Sequence, residues 1–286
     1  MWIVTTKEER SSLIPEKKFK QLCSVIGEDN LKLIIADSVK DLDIVQKNDV
    51  VLVETKNYDL VDRLRSISIN TTAEDVQAIK FDEDKILLKR LLNIAKIPTP
   101  KLYDVADVED GERYFVKPLI LEDSIGIDEN SLCSSRKEVL EKIDEIYTKY
   151  GRQSIIEEYI DGYDATVGIL RNENGEYDVE AITIDGGSEF LTYDAKIKDK
   201  EKYAILTGEC KTIALKVFRM IGAKNYARID MRIDKETNTP YVLEVNLYPG
   251  LGEHGYMFRC FEYNNGENYK QFINKIIENN AKTSKS

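Results

Sequence analysis

The stretch from Asn225 to Glu253, NYARIDMRIDKETNTPYVLEVNLYPGLGE, constrains the chain more than any other, because two period-two segments flank a short polar loop. In the first segment Tyr226, Arg228, Asp230 and Arg232 fall on one face, and Ala227, Ile229, Met231 and Ile233 on the other, as in a half-buried strand. The second repeats the alternation, with Tyr241, Leu243, Val245 and Leu247 as its apolar set and Val242, Glu244, Asn246 and Tyr248 opposite. A loop centred on Thr237 pairs Asp230 with Glu244, Arg228 with Asn246, Ile229 with Val245 and Met231 with Leu243. A slip of one residue would bury the carboxylates, so the apolar pattern selects this register.

Two carboxylates set opposite one another repel, by up to about 1 kcal/mol on an exposed face and by more in a dry site. Asp230, Glu244 and the amide oxygen of Asn246 form an incomplete oxygen set of the kind Mg2+ takes when phosphates and waters fill its other positions. The alternative is a solvated sheet face neutralised by Arg228 and Arg232. The Glu-x-Asn run leading straight into Pro249-Gly250-Leu251-Gly252 favours the metal.

At 286 residues the chain can bury a substantial core or divide into two or three subdomains around one site. Its net charge of -11, with no separate basic cluster, argues against nucleic-acid binding as a main function. No stretch approaches 18 consecutive apolar residues and the start is neither basic nor apolar, so no membrane span is expected and the placement expected is cytoplasmic. The cysteines, Cys23, Cys133, Cys210 and Cys260, are far apart, and His254 is the single histidine, which leaves a zinc site or a Cys-His dyad without support.

In chain order, short apolar runs alternate with helical ones through Ile67, the pattern of a small parallel βαβ layer. From Thr72 the sequence predicts a helix whose apolar face is Leu87, Leu88, Leu91, Leu92 and Ala95, with Lys85 at its entry and Pro98 and Pro100 beyond its end. Tyr114 to Leu119 reads as a strand with Lys117 on the side of Phe115, and Glu122 to Ile127 as a loop able to lie over an anion. A helix from Ser135 to Tyr150 and strands over 154–160, 165–170 and 179–184 follow, then a polar flap, Phe190 to Lys200. The helical pattern from Tyr203 to Ile221 leads into the paired strands, and Tyr269 to Asn279 reads as the last helix.

Taken together, Asp84-Lys85, Phe115-Val116-Lys117-Pro118, Asp123-Ser124-Ile125-Gly126, Ile156-Glu157-Glu158-Tyr159-Ile160, Ala195-Lys196, Arg228-Ile229-Asp230, Leu243-Glu244-Val245-Asn246 and Pro249-Gly250 resemble the ATP-grasp superfamily in its D-alanine-D-alanine ligase-like branch. The resemblance runs from about Asp84 to Phe261, each piece weak and the ordered set specific. It implies an α/β (α+β) protein of ATP-grasp architecture: an N-terminal layer over 1–84, a lid subdomain over 85–164 and a large subdomain with the metal site over 165–286. It also implies an ATP-dependent carboxylate-amine ligase that works through an acyl phosphate on small-molecule substrates, with a homodimer as an arrangement common in the family. A peptide or protein acceptor is the rival within ligases, and a non-catalytic nucleotide-binding regulator the rival from another class.

The resemblance implies residue roles as well. Asp230, Glu244 and Asn246 would hold two Mg2+ ions, and Lys85, Lys117, Lys196 and the loop with Ser124 and Gly126 would meet the phosphates of ATP. Glu157, Glu158 and Ile160 would lie at the adenine and Asp164 at the ribose, while Arg228 and the N–H of Gly250 would form an oxyanion site. Three positions depart from the dipeptide-forming members: Asp123 stands where they have a serine, Ile197 replaces a tyrosine, and Gly255 replaces a serine that holds the second substrate's carboxylate. The expectation is an acceptor other than free D-alanine.

Overall fold

Successive segments of the chain fold into three sheets, seen in a computed structural model that describes residues 1–6, 15–120, 124–192 and 201–281. The first is parallel, with order β2-β1-β3-β4 from β1 (Trp2–Thr5), β2 (Lys32–Ile35), β3 (Val50–Glu54) and β4 (Asn70–Thr71). Helices α1 (Pro15–Ile26) and α2 (Tyr58–Ile67) make the crossovers that parallel pairing requires. Val4, Val51 and Val53 are fully buried, as in a parallel sheet covered on both faces.

Helix α3 (Val76–Glu83) gives way to α4 (Lys85–Ile94) at Asp84. The Asp84 N–H closes α3 on the carbonyl of Lys80 while its carboxylate accepts the N–H of Leu87 at 2.9 Å, so one residue ends one helix and caps the next. This break corrects the single helix expected from Thr72, and it also rotates the apolar face. The buried positions of α4 are Lys85, Leu88, Lys89 and Leu92, with Leu87 and Leu91 only partly covered. Two lysines lie on the packed face.

The second sheet, antiparallel with order β5-β8-β6-β7, comprises β5 (Leu102–Tyr103), β6 (Tyr114–Pro118), β7 (Leu132–Cys133) and β8 (Ser154–Glu158). Helix α5 (Arg136–Tyr150) packs on it through Val139 and Ile146 and stops at Gly151, whose φ of 62° is the left-handed conformation glycine tolerates.

The third sheet runs β11-β10-β9-β12-β13: β9 (Gly162–Arg171), β10 (Tyr177–Asp185), β11 (Lys202–Ile205), β12 (Tyr226–Asp234) and β13 (Pro240–Asn246), all antiparallel. Strand β11 and helix α6 (Glu209–Met220) replace the one helix expected over 203–221. The apolar period of α6 holds through Cys210, Ile213 and Val217, but the residues before Gly208 pair with the edge of β10. Helices α7 (Tyr256–Asn265) and α8 (Tyr269–Ala281) cover the other face, where Gly168 admits Cys260, Phe261 and Met257 too closely for a side chain. Among the described residues, no helix is long and apolar enough to cross a membrane.

The expected strand pairing is present for Arg228 with Asn246, Ile229 with Val245 and Asp230 with Glu244. Beyond Asp230 a bulge puts Met231 opposite Val242, not Leu243. The extra residue reverses the alternation, so Val242 is buried in the core and Leu243 turns with Glu244 toward the cleft. Nor is the charged face of β12 a solvated surface: Tyr226 is buried under α7 and α8, and Arg232 is only 5% exposed.

Candidate active site

The second and third sheets face each other across a cleft whose space, open to solvent, is about 960 Å3. Its lining brings together Lys85, Lys117, Ser124, Glu157, Glu158, Ile160, Asp164, Asp230 and Glu244, which the sequence scatters over 160 positions. A smaller recess shares Lys85 and Glu244 with it and adds Lys56, Asp82, Glu83 and Asn246. Asp123, Lys196 and Ile197 lie outside the described residues.

On the β12–β13 wall, Asp230 is the hub. Arg228 holds it through two parallel bonds, Nε to Oδ1 and Nη2 to Oδ2, both 2.9 Å, the fork geometry that makes arginine–carboxylate pairs strong. Thr166 of β9 donates to Oδ1 at 2.6 Å, and the Asn246 amide donates to Oδ2 at 3.2 Å. Glu244 stands opposite in register and meets the Lys85 ammonium at 3.5 Å. The Arg228 guanidinium lies 5.5 Å from the ring of Tyr256, whose hydroxyl donates to Glu201. Burial and that carboxylate push the Tyr256 hydroxyl pKa well up, so it remains a donor.

On the opposite wall the two acids of Glu157-Glu158 point apart, as strand alternation demands. Glu158 accepts the N–H of Lys101 at 3.2 Å, whereas Glu157, 2% exposed, sits between Lys117 at 3.0 Å and Lys89 at 3.1 Å. Burial alone would raise the Glu157 pKa, yet the two lysines bring it below the usual carboxylate value. Burial pushes Lys89 the other way, down to about 8, against the pull of Glu157.

Arg232 closes the far end of the cleft. Its guanidinium donates to the carbonyls of Ile160 and Glu189 and to the Tyr159 hydroxyl, and it pairs with Asp164 at 3.0 Å. Asp164 also accepts the N–H of Leu191 at 2.8 Å. Phe115 and Phe190 meet edge to face at 5.0 Å over this apolar pocket. The loop after β6 turns back at Ser124, φ 59°, and at Gly126, φ 81°, where a side chain would meet Pro118 at 2.7 Å. Both positions therefore take the left-handed backbone, and Gly126 is further required by its close approach to Pro118.

Of the expected oxyanion pair, Arg228 is engaged with Asp230, and Gly250 belongs to the turn after β13. That turn closes tightly. Gly255 donates its N–H to Gly252 at 2.8 Å, and a Cβ on Gly255 would lie 2.4 Å from the Gly250 carbonyl oxygen. A serine at this position is incompatible with the turn as folded.

Four functional positions escaped the sequence reading: Lys89, Thr166, Tyr256 and the anchoring role of Arg232. Lys89 carried a signal, since it lies four residues after Lys85 and one turn from Leu92 on the same helical face. Thr166 carried none, because its partner Asp230 is 64 residues away.

Comparison with known proteins gives this geometry its lineage. The family described as D-ala D-ala ligase C-terminus matches residues 108–278. An uncharacterised protein of Sinorhizobium fredii, y4sG, is 29% identical over 216 residues, covering 68% of this chain and 62% of its own. A D-alanine–D-alanine ligase of Thermoanaerobacter sp. strain X514 is 28% identical over 220 residues, covering 68% of this chain and 58% of that enzyme. The chain thus spans about three fifths of the length of these relatives. The D-alanine–D-alanine ligase of Bacillus anthracis complexed with ATP superposes with a TM-score of 0.71 at 18% identity, over 98% of this chain and 97% of that one. The VanG D-Ala:D-Ser ligase of Enterococcus faecalis gives a TM-score of 0.68 at 16% identity, over 98% of this chain and 99% of that one. The fold is that of the ATP-grasp ligases, and the chain belongs to the D-alanine–D-alanine ligase-like family.

Proposed function

We propose that this chain is an ATP-dependent carboxylate-amine ligase that makes an amide or peptide bond through an acyl phosphate, releasing ADP and phosphate. One observation carries the reading: a single cleft joins Asp230 and Glu244 on one wall, with Asn246 in the recess that shares Glu244, to the buried Lys117 of the other. In this reading residues 85–164 form the lid, 165–286 the large subdomain and 1–84 the layer that completes the substrate side.

Adenine would lie between Phe115, Ile160 and Leu191, with the ribose at Asp164, which Arg232 holds in place. Lys117, Lys85 and the Ser124–Gly126 loop would face the phosphates. The residues present fit two Mg2+ ions. Asp230, Glu244 and Asn246 offer hard oxygens on adjacent, register-locked strands, and among the described residues no cluster of three acids, cysteines or histidines forms a closed metal cage. Such a site needs phosphate and water oxygens to be complete. When bound, the ions would draw charge off the phosphoryl oxygens during transfer. Arg228, its guanidinium plane fixed by Asp230 and Tyr256, would with the Gly250 N–H take up the negative charge that develops when the amine attacks. Asp123, Lys196 and Ile197 keep their assigned substrate and phosphate roles within the proposal.

The acceptor differs from free D-alanine in this reading. The relatives' second carboxylate would need a hydroxyl at position 255, and the folded turn leaves no room for a side chain there. An ADP-release screen over carboxylates, amines and amino acids, singly and in pairs, with mass detection of products, tests the proposal. ADP release that requires both a carboxylate and an amine, with a condensed product, is the expected result. ATP binding without ADP release for any pair would make the chain a nucleotide-binding regulator instead.

A further inference from the structure

Lys89 does not itself line the cleft, yet among the described residues no side chain of its size is more completely buried. Lysine is rarely buried without a partner, and taking its charge out of water costs several kcal/mol by order of magnitude. The structure uses that charge fully. The ammonium pairs with Glu157 at 3.1 Å and donates to Thr99 Oγ1 at 3.0 Å and to the Pro100 carbonyl at 3.3 Å, and the Thr99 hydroxyl donates in turn to the Val242 carbonyl of β13. The second oxygen of Glu157 is 3.0 Å from Lys117, whose side chain lines the cleft.

Counting charge explains the arrangement. Lys117 with Glu157 alone sums to zero, so a polyphosphate arriving at Lys117 would compete with a carboxylate already holding it. With Lys89 the cluster sums to +1. We propose that Lys89 is a positioning residue for nucleotide binding: it takes one oxygen of Glu157 and leaves the cluster a net positive charge at Lys117 for the phosphates. The inference rests on the reading that Lys117 meets phosphates. The other charged group acting on Lys89 is Glu244 of β13, on the candidate metal wall.

The test is a calorimetric comparison of ATP with Mg2+ against adenosine, which has no phosphate, over Lys117→Gln, Lys89→Met, Glu157→Gln and the double variant Lys89→Met/Glu157→Gln. The cluster charge is 0, 0, +2 and +1 in that order, against +1 in the parent. Lys89→Met should weaken ATP about tenfold or more, a change of about 1.4 kcal/mol, while adenosine binding holds within about twofold. The double variant should recover most of the ATP affinity because its net charge is restored. A merely structural role predicts otherwise: adenosine and ATP would weaken together, and the second substitution would bring no recovery; either result overturns the proposal. If Lys89→Met alone does not fold, the double variant still decides, parental ATP affinity supporting the proposal and a tenfold loss overturning it. Unchanged ATP affinity in Lys117→Gln sinks the premise about phosphates and the proposal with it, whereas a weakened Lys117→Gln with an unrecovered double variant overturns the role of Lys89 alone.

Discussion

The two walls of the cleft carry the same kinds of charge under opposite conditions. On the β12–β13 wall the side chains of Asp230 and Glu244 are 20% and 28% exposed and line the cleft, while those of their cationic partners, Arg228 and Lys85, are 11% and 8% exposed. On the lid wall, Lys89, Glu157 and Lys117 are sealed from water. Charges at an open surface can exchange one partner for another at little cost, and sealed charges cannot. The comparison teaches that this site separates exchangeable from fixed electrostatics. In the proposed reaction one wall would change partners, and the other would present a constant field.

The largest effect that would break this comparison is on stability. Glu157→Leu leaves two buried ammonium groups facing each other without their carboxylate, and loss of one member of a buried ionic cluster costs about 3 to 5 kcal/mol. Urea unfolding of the variant should show that loss. A cost under about 1 kcal/mol, typical of exposed pairs, would mean that the lid wall is open to water after all.

A second buried acid sharpens the point. Glu74, 1% exposed, is held by the backbone N–H groups of Lys224 and Asn225 at 2.9 and 2.7 Å, with no ammonium in direct contact among the described residues. Burial outweighs those bonds and raises its pKa to about 7, whereas Glu157, between two lysines, goes down. An acid whose folded pKa lies above its unfolded value binds a proton in the native state that the unfolded chain has released. Glu74 therefore contributes stability that is present near pH 4.5 and lost as pH rises to about 7, at up to about 1.4 kcal/mol per pH unit. The difference between wild type and Glu74→Gln in urea unfolding, followed from about pH 5 to pH 8, should fall with rising pH and flatten above 7. A difference that stays constant, or rises, would show that Glu74 is ionised throughout.

Period-two alternation and the acidic register were legible in the sequence because both depend on local spacing in β12 and β13. What stopped the reading was the bulge, which moves Leu243 into the cleft and Val242 into the core. A single inserted residue leaves the alternation of each flank intact, so nothing in the letters marks it. The buried face of α4 departs from the sequence reading for a different reason: apolar residues alone mark the expected stripe, and a lysine on the packed face falls outside such a pattern. Lys89 is buried because Glu157 is there to receive it, and that partner lies 68 residues further on. Sites made of local spacing can be read from sequence, but sites made of long-range charge pairing cannot.

The smallest structural effect is expected at the open wall, and it is paired with a large functional one. Glu244 lies 28% exposed and 3.5 Å from Lys85, a separation too long for a strong charged hydrogen bond, so Glu244→Gln should change the unfolding free energy by no more than about 1 kcal/mol. The substitution keeps the shape of the side chain and the β12–β13 pairing while removing one negative charge from the proposed metal set. If that wall exchanges its protein cations for Mg2+, the variant should need more Mg2+ to reach half-maximal ADP release, and the deficit should narrow as Mg2+ is raised. A titration of ADP release against Mg2+ on both proteins, alongside their urea midpoints, separates the outcomes. Matching Mg2+ curves would remove Glu244 from the metal set. A large loss of stability would show that its pairing with Lys85 is as fixed as the cluster on the opposite wall, and the distinction between the two walls would fail.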